Sequence, residues 1–500
     1  MRKVAFHTLG CKVNIYETEA MQRIMSDAGY TLVDFNDRAD VYIINTCSVT
    51  NIADRKSRQI LHKAKKENPD SIVVAAGCYV QSGAQKLKKD CNIDIIVGNN
   101  KKKDIALIIN KYFDSIYNEP DLKTADFTDD GIELKTADFT DKITGVKTDT
   151  VSDKNNKKTE VSADKTIAGI KPVFSGINND ENVIDINKKC EYEDFGVSKL
   201  GKHTRSFIKV QDGCNQFCTY CIIPYTRGRI RSRSMQSIMA EVESLAKNGY
   251  KEMVLTGIHL SSYGVDIDKK EHLLELVSRV AGVEGVERVR VGSLEPRIIS
   301  DVFVSGLKKI PQFCPHFHLS LQSGCDSVLR RMNRQYDSKD FINGVEIIRK
   351  YYKNPAITTD IIVGFPGESE EEFNISREFV DKIGFYEMHI FPFSIREGTK
   401  AANMPGQLTH KEKSSRVLAL SEINRKNSRD FRKKYIGQMN EILSEEIIEI
   451  NQKRYISGHT REYLKVAVPY FEGGLNQFIK GEIKSFLNDD ILLMQPLNQF

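Results

Sequence analysis

Nowhere in this 500-residue chain does an apolar run approach the roughly 20 residues of a membrane span; Ser71 to Ala76 and Ile361 to Phe365 typify the short runs present. No spanning segment is expected. The N-terminus lacks the basic region, long apolar core and small-residue cleavage site of a secretory signal, and opens into a strand-like run from Val4 to Leu9. A cytoplasmic protein is expected. Charge of one sign is not in large excess either: 73 Lys and Arg stand against 68 Asp and Glu, a formal +5. At this length that suggests one basic face and not a globally basic protein. In a reducing compartment the ten cysteines are poor material for a disulfide framework and better suited to metal ligation or catalysis. Their spacing carries the information.

The length and a 40% apolar composition exceed what one core needs and give a prior of about three domains. Residues 1–113 alternate strand-like runs (Lys3–Leu9, Val41–Asn45, Ser71–Ala76) with helical stretches, the pattern of a parallel α/β domain. Each strand runs into a cysteine: Cys11, Cys47 and Cys78. Ligands of parallel sheets collect beyond the carboxyl ends of the strands, so three thiols on one rim could hold one ligand. Residues 114–199 turn polar and repeat Leu-Lys-Thr-Ala-Asp-Phe-Thr-Asp at Leu122 and Leu134. Such a stretch reads as a disordered linker. Residues 200–434 resume the alternation, with strands near Phe207–Val210, Met253–Thr256, Arg288–Gly292, His316–Leu321, Thr358–Val363 and Glu387–Pro392, which suggests an incomplete (β/α)6 barrel with its chemistry on the C-terminal rim. Residues 435–500 are strand-rich and punctuated by Gly458, Gly473-Gly474 and Asn488-Asp489, as in a small antiparallel barrel.

The sharpest signal is Gly213-Cys214-Asn215-Gln216-Phe217-Cys218-Thr219-Tyr220-Cys221, just after the first strand of the central region. Structural zinc wants four ligands, and no fourth Cys or His follows at finger-like spacing. A cubane iron–sulfur cluster normally takes four cysteines, so three leave one iron open to chelate S-adenosylmethionine. Zinc or coincidental buried thiols are the bland alternatives.

Here the chain resembles the radical S-adenosylmethionine superfamily, through C-x₃-C-x₂-C at Cys214, Cys218 and Cys221. Within it the chain resembles the methylthiotransferases, through Ile222-Ile223-Pro224-Tyr225-Thr226-Arg227-Gly228 and the N-terminal Cys11, Cys47 and Cys78. The resemblance implies two [4Fe-4S] clusters, one on each cysteine set, and S-adenosylmethionine. It further implies an electron donor such as flavodoxin or ferredoxin, and a monomer. Thr8-Leu9-Gly10-Cys11-Lys12-Val13-Asn14 and His318-Leu319-Ser320-Leu321-Gln322-Ser323-Gly324 look like the bacterial branch acting on N6-threonylcarbamoyladenosine at position 37, in the tRNA anticodon stem-loop. Rival readings are isopentenyladenosine in tRNA, an aspartate of a ribosomal protein, or a non-catalytic zinc-bearing RNA-binding protein.

Gly257, Glu295 and Gln322 follow successive strands, where S-adenosylmethionine is expected, with Glu295 and Gln322 as polar contacts. A turn-forming role suits the glycine equally. For RNA, Arg227, Arg229, Arg231 and Arg233 form an alternating basic strip beside the cluster loop, and Arg429 and Arg432 lie in a second basic run before the last region. Solvated faces are the bland reading of both. Ser457-Gly458-His459-Thr460-Arg461-Glu462-Tyr463 resembles the TRAM domain, an RNA-binding barrel. Cys91, Cys190, Cys314 and Cys325 have no partner spacing and read as bystanders. His259, His316 and His318 read as structural histidines.

Overall fold

The computed structural model describes residues 1–90, 92–117, 181–188, 190–196, 204–270 and 272–497. Cys91 and both repeats, at Leu122 and Leu134, lie outside the described residues. One compact unit comprises Met1–Ile109 and Asn179–Phe500, and everything below concerns it. Among the described residues no helix is long and apolar enough to cross a membrane.

The N-terminal sheet is parallel, with β1 (Lys3–Thr8), β2 (Thr31–Val33), β3 (Val41–Thr46), β4 (Ile72–Gly77) and β5 (Ile95–Val97) in the order β2-β1-β3-β4-β5. Strands β3 and β4 are buried at every position, which is why their apolar residues run on without alternating. Helices Lys12–Asp27, Asn51–Glu67 and Cys78–Leu87 begin close behind β1, β3 and β4. The second is capped by Thr50, whose side chain accepts from the Ala53 amide.

The central strands are β6 (Arg205–Asp212), β7 (Arg231–Ser232), β8 (Glu252–Gly257), β9 (Arg288–Val291), β10 (His316–His318), β11 (Ala356–Val363) and β12 (Glu387–Pro392). Six of these are the parallel strands expected; β7 is a two-residue addition antiparallel to β6. Isolated bridges Val289–Phe313 and Leu294–Leu319 join the β6-β8-β9 half to the β10-β11-β12 half. Alternate side chains such as Ile208, Leu255, Val291, Phe317 and Ile361 pack outward with helix residues Val242, Leu276 and Phe341 in the main core. The opposite alternation therefore turns Glu252, Arg290, His316, His318, Asp360 and His389 inward. The inner face of the barrel is polar.

The last region closes into a barrel of β13 (Met439–Ile450), β14 (Lys453–His459), β15 (Lys465–Pro469), β16 (Phe478–Phe486) and β17 (Leu492–Pro496), antiparallel except for β15 with β17. Gly458 does not punctuate a strand: it pairs with Ser444 inside β14, where the register shifts and a side chain would strike the Leu443 carbonyl. The barrel's core is shared with its neighbour, since Ile442, Ile456 and Leu492 cluster with Ala356, Tyr386 and Phe431.

One expectation needs correction here. Within the polar stretch expected to be a disordered linker over 114–199, residues 181–188 and 190–196 are ordered against the rest of the unit. Ile186 and Phe195 are buried, the Phe195 and Tyr16 rings lie 6.2 Å apart, and Gln81 Nε2 donates to the Ile184 carbonyl at 2.8 Å. These apolar side chains supply the burial that the rest of the stretch lacks. The Ser457–Tyr463 motif turns toward the central strands. Tyr463 stacks between His459 (4.3 Å) and His316 (5.1 Å), Arg288 donates to the His459 carbonyl at 2.9 Å, and Arg461 donates to the Phe313 carbonyl at 2.8 Å.

Candidate functional site

Strands β1, β3 and β4 are neighbours, so Cys11, Cys47 and Cys78 come to one rim of the N-terminal sheet. Gly10 stands at φ +103°, and a side chain there would collide with the Cys47 Sγ, so only glycine lets β1 approach so closely. Cys11 is exposed and the other two are buried. Burial pushes the Cys47 thiol up to about 11, with Cys78 and Cys11 adding to the shift and Arg227 opposing it. Asn99 Nδ2 donates to Cys78 Sγ at 3.5 Å and to the Thr226 carbonyl at 2.7 Å, tying this rim to the segment after the second cysteine set.

The loop Cys214–Cys221 leaves the C-terminal end of β6. Gly213, at φ +72°, packs where a side chain would fall on the Arg229 carbonyl. The Cys214 amide donates to the Gly228 carbonyl at 3.0 Å, and Gln211 Nε2 donates to the Asp212 and Gly213 carbonyls at 2.8 Å. On the far side Thr219 N donates to the Met332 carbonyl (3.1 Å), and Arg334 Nη1 donates to Cys218 Sγ at 3.1 Å. Burial pushes Cys214 up to about 11 and Cys221 up to about 12, with Cys218 raising both further.

Neutral thiols crowded together in this way favour a bound cation cluster that would offset the charge of three thiolates. A single tetrahedral zinc ion would draw its thiolates to within about 4 Å of one another. Among the described residues, the group of three or more metal-ligating donors within 4.8 Å of one another is His318, Asp360 and His389. Three thiols in each set match the donor set of a cubane that leaves one iron open.

A cleft of about 200 Å³ opens beside Cys221. Cys221, Ile222 and Ile223 line one side, Val49 and Thr50, just after Cys47, another, and Gln322, Asp360 and Phe391 the barrel wall. Gln322 holds a left-handed backbone (φ +68°), and its amide donates to the Asp360 carbonyl at 2.9 Å. Glu295 accepts from His259 Nε2 (2.9 Å), Arg297 Nε (2.8 Å) and Gln216 Nε2 (3.1 Å), the last from within the cysteine loop. Burial opposes its charge, but the bonds from His259 and Arg297 hold its carboxyl down at about 2. Gly257 ends β8 against Gln211, whose Oε1 accepts from the His259 amide at 2.8 Å.

The basic strip is not a surface strip. Arg227, Arg231 and Arg233 are buried. Arg227 pairs with Glu17 at 2.8 Å and Asp212 at 3.1 Å, Arg231 lies 3.7 Å from Asp212, and Arg233 pairs with Glu241 and, at 3.1 Å, with Asp194. Only Arg229 of the four is exposed, with its guanidinium 4.4 Å from the Phe217 ring centroid. In the second run Arg432 is buried on Glu387 at 3.0 Å, and Arg429 is exposed but paired with Asp489 at 3.0 Å. Sequence reasoning did not find Arg334, Glu17 or Asp212 as parts of this site. Asp212 stands two residues before Cys214, but nothing local to Arg334 or Glu17 points to the cysteines.

Residues 3–98 match the family described as uncharacterized protein family UPF0004, and residues 208–380 match the radical SAM superfamily. A threonylcarbamoyladenosine tRNA methylthiotransferase of Bacillus subtilis (strain 168) is 34% identical, over 97% of this chain and 94% of its own. A second protein of that name, from Aquifex aeolicus (strain VF5), is 34% identical over 91% and 97%. A tRNA-2-methylthio-N(6)-dimethylallyladenosine synthase of Finegoldia magna (strain ATCC 29328 / DSM 20472 / WAL 2508) is 29% identical over 96% and 91%. Among solved structures, a radical S-adenosylmethionine methyltransferase from Kitasatospora setae aligns with a TM-score of 0.51 at 14% identity, over 80% of this chain and 77% of that one, a likeness of fold. With relatives matched along nearly its whole length, the chain belongs to the radical S-adenosylmethionine methylthiotransferases.

Proposed function

We propose that this enzyme converts N6-threonylcarbamoyladenosine at position 37, next to the tRNA anticodon, to its 2-methylthio derivative. The observation that carries the reading is the 34% identity, over 97% of the chain, to a relative named for that activity. The place of Cys221 on the wall of the cleft, with Val49 and Thr50 of the N-terminal region across from it, supports it. The cofactors are S-adenosylmethionine and two [4Fe-4S] clusters. Cys214, Cys218 and Cys221 would hold the cluster that binds S-adenosylmethionine, and Cys11, Cys47 and Cys78 the auxiliary one.

Once bound and reduced, S-adenosylmethionine supplies a radical able to take the hydrogen at adenine C2, a position too weakly acidic for any side-chain base working near neutral pH. The chain's own work is placement. Glu295, fixed by His259, Arg297 and Gln216, and Gln322 on the cleft wall present acceptors and donors to the polar parts of S-adenosylmethionine. Gly257 leaves room at the end of β8. Ile222, Ile362, Phe391 and Phe393 give the cleft an apolar lining that keeps water from a reactive intermediate.

In this reading residues 1–113 carry the auxiliary cluster, 200–434 the radical chemistry and 435–500 RNA contacts. The enzyme acts on the anticodon stem-loop as a cytoplasmic monomer, with flavodoxin or ferredoxin as reductant. Exposed Arg229 and Arg429 remain as its phosphate contacts. Nucleoside mass spectrometry of tRNA from a deletion strain tests the reading. The 2-methylthio derivative should vanish, threonylcarbamoyladenosine should accumulate, and the gene should restore the product. Loss of a methylthiolated isopentenyladenosine, or of a modified ribosomal-protein aspartate, would point to a rival substrate.

A further inference from the structure

The polar inner face of the central barrel carries a side-chain cluster that the chemistry described above does not use. Strands β10, β11 and β12 run parallel and side by side there. Asp360 and His389 are register partners across β11 and β12, and His318 pairs with Thr358, two residues before Asp360, so all three side chains project from the same face. Their donor atoms, one imidazole nitrogen from each histidine and one carboxylate oxygen, lie within 4.8 Å of one another. Strand register, not a loop, sets this grouping.

Ligands held at about 2.0–2.1 Å by a tetrahedral ion stand about 3.4 Å apart. His318 Nε2 and Asp360 Oδ2 are already 3.4 Å apart. The His389 ring lies 5.7 Å from the His318 ring, centroid to centroid, and His389 is exposed. Side-chain rotation that brings its nitrogen in by about 1 Å completes the set.

The hydrogen bonds around His318 decide which of its atoms faces the cluster. Its Nδ1 is hydrogen-bonded to Thr358 Oγ1 at 2.9 Å, and the same hydroxyl lies 3.4 Å from His316 Nε2. A hydroxyl has one hydrogen: directed to His316, it leaves the oxygen to accept from His318 Nδ1–H. The lone pair of His318 Nε2 then faces a carboxylate oxygen, and two acceptors at that distance call for a cation between them. Histidine ligands of metals are held in this way, with the second ring nitrogen bonded to an oxygen behind it. Asp360 borders the cleft that also holds Cys221 and Gln322, and His389 borders a separate surface recess of about 330 Å³, which gives an ion a way in.

We propose that His318, Asp360 and His389 bind one divalent transition metal ion of the zinc and iron(II) class, separate from the clusters on the two cysteine sets. Two imidazoles and one carboxylate suit those ions, whereas magnesium and calcium take oxygen donors. Three protein ligands on a four-coordinate ion leave one position for a water or for an anionic oxygen of a bound molecule.

The test uses the full-length, cluster-loaded enzyme without an affinity tag, dialysed anaerobically against Zn²⁺, with zinc and iron per chain counted by elemental mass spectrometry. Wild type should hold about one Zn²⁺ per chain more than His389→Ala and Asp360→Asn, at the same iron per chain. Any zinc taken by stray thiols is common to all three and cancels. Thr358→Val, which removes only the hydroxyl behind His318, should weaken Zn²⁺ binding about 10- to 100-fold. Zn²⁺ should raise the melting temperature of wild type and not that of His389→Ala. An equal concentration of Mg²⁺ should leave the zinc in place. Equal zinc in wild type and His389→Ala, or displacement of the zinc by that Mg²⁺, overturns the proposal.

Discussion

Arg227, six residues beyond the last cysteine of the Cys214–Cys221 loop, donates from Nη1 to Glu17 of the Lys12–Asp27 helix at 2.8 Å. Glu17 also accepts from Lys209 at 2.7 Å and from Lys102, while Asp212 pairs with Lys209 at 2.6 Å and with Arg227. All of these side chains are buried. The pairing therefore joins the N-terminal sheet to the central strands at the place where the two cysteine sets meet. Four cations, Lys102, Lys209, Arg227 and Arg231, face Glu17, Asp212 and the buried Glu193, which leaves positive charge in excess. Cys78 is the strongest of the anionic influences on Arg227, so that excess lies where cluster thiolates would be.

Glu17→Gln should destabilise the protein more than any single-residue change at an exposed ion pair. The substitution keeps the shape but leaves Lys102, Lys209 and Arg227 buried without their shared anion, a loss of about 3–5 kcal/mol. Burial works against the Glu17 charge, but Arg227, Lys102 and Lys209 outweigh it and hold its carboxyl well below the usual value of 4.5. A carboxyl depressed in the fold stabilises above its unfolded value, and that contribution disappears as pH falls through the folded one. Urea midpoints should therefore differ widely between wild type and variant at pH 7, and the gap should close only well below pH 4.5. Equal midpoints at pH 7 would show that the network is neutral.

Glu19, two residues along the same helix, should behave in the opposite sense. Burial, and then the charge of Glu241, raise its carboxyl from 4.5 to about 7. A raised carboxyl costs stability that is absent below the unfolded value and complete above the folded one. Glu19→Gln should thus raise the melting temperature at pH 8, by the equivalent of about 1–3 kcal/mol, and leave it unchanged near pH 4. An identical shift at both pH values would mean that packing, not charge, is responsible.

The features that local residue order dictates were legible in the sequence. Cys11, Cys47 and Cys78 could be placed together because a parallel sheet brings the ends of consecutive strands to one rim, and β1, β3 and β4 do adjoin. The six central strands followed from hydrophobic alternation. The arginines after the cysteine loop misled because a run of like charge does not reveal its partners: Glu17 lies 210 positions from Arg227. The same holds for Arg334, brought to Cys218 from 116 positions away, and for the Ser457–Tyr463 segment, whose aromatic and basic residues meet His316 and Phe313. In the polar stretch before residue 200, Ile186 and Phe195 were the apolar exceptions, and both are buried.

Cys218→Ala separates the two cysteine sets. Two thiolates cannot hold a site-differentiated cluster, so cleavage of S-adenosylmethionine should be lost while the set on the N-terminal sheet stays loaded. Iron per chain should fall to about half of the wild-type value. Undiminished formation of 5′-deoxyadenosine by the variant would remove this loop from the chemistry.

Arg229 and Arg231, two positions apart, should give opposite phenotypes. Arg229 is exposed and stacked on Phe217, with its charge free to meet phosphate, whereas Arg231 is buried beside Asp212. Replacing an exposed arginine that contacts phosphate releases about one fewer counterion, so Arg229→Ala should flatten the plot of log affinity against log salt by roughly one unit and leave the melting temperature alone. Arg231→Ala removes a buried cation from Asp212, which keeps Lys209 at 2.6 Å and Arg227 at 3.1 Å. The loss is therefore partial: a lower melting temperature with the salt slope unchanged. Salt-dependent tRNA binding and thermal unfolding on the same two preparations decide the matter. A flattened slope for Arg231→Ala would mean that this arginine leaves Asp212 to meet RNA, and that its buried pairing describes only the free protein.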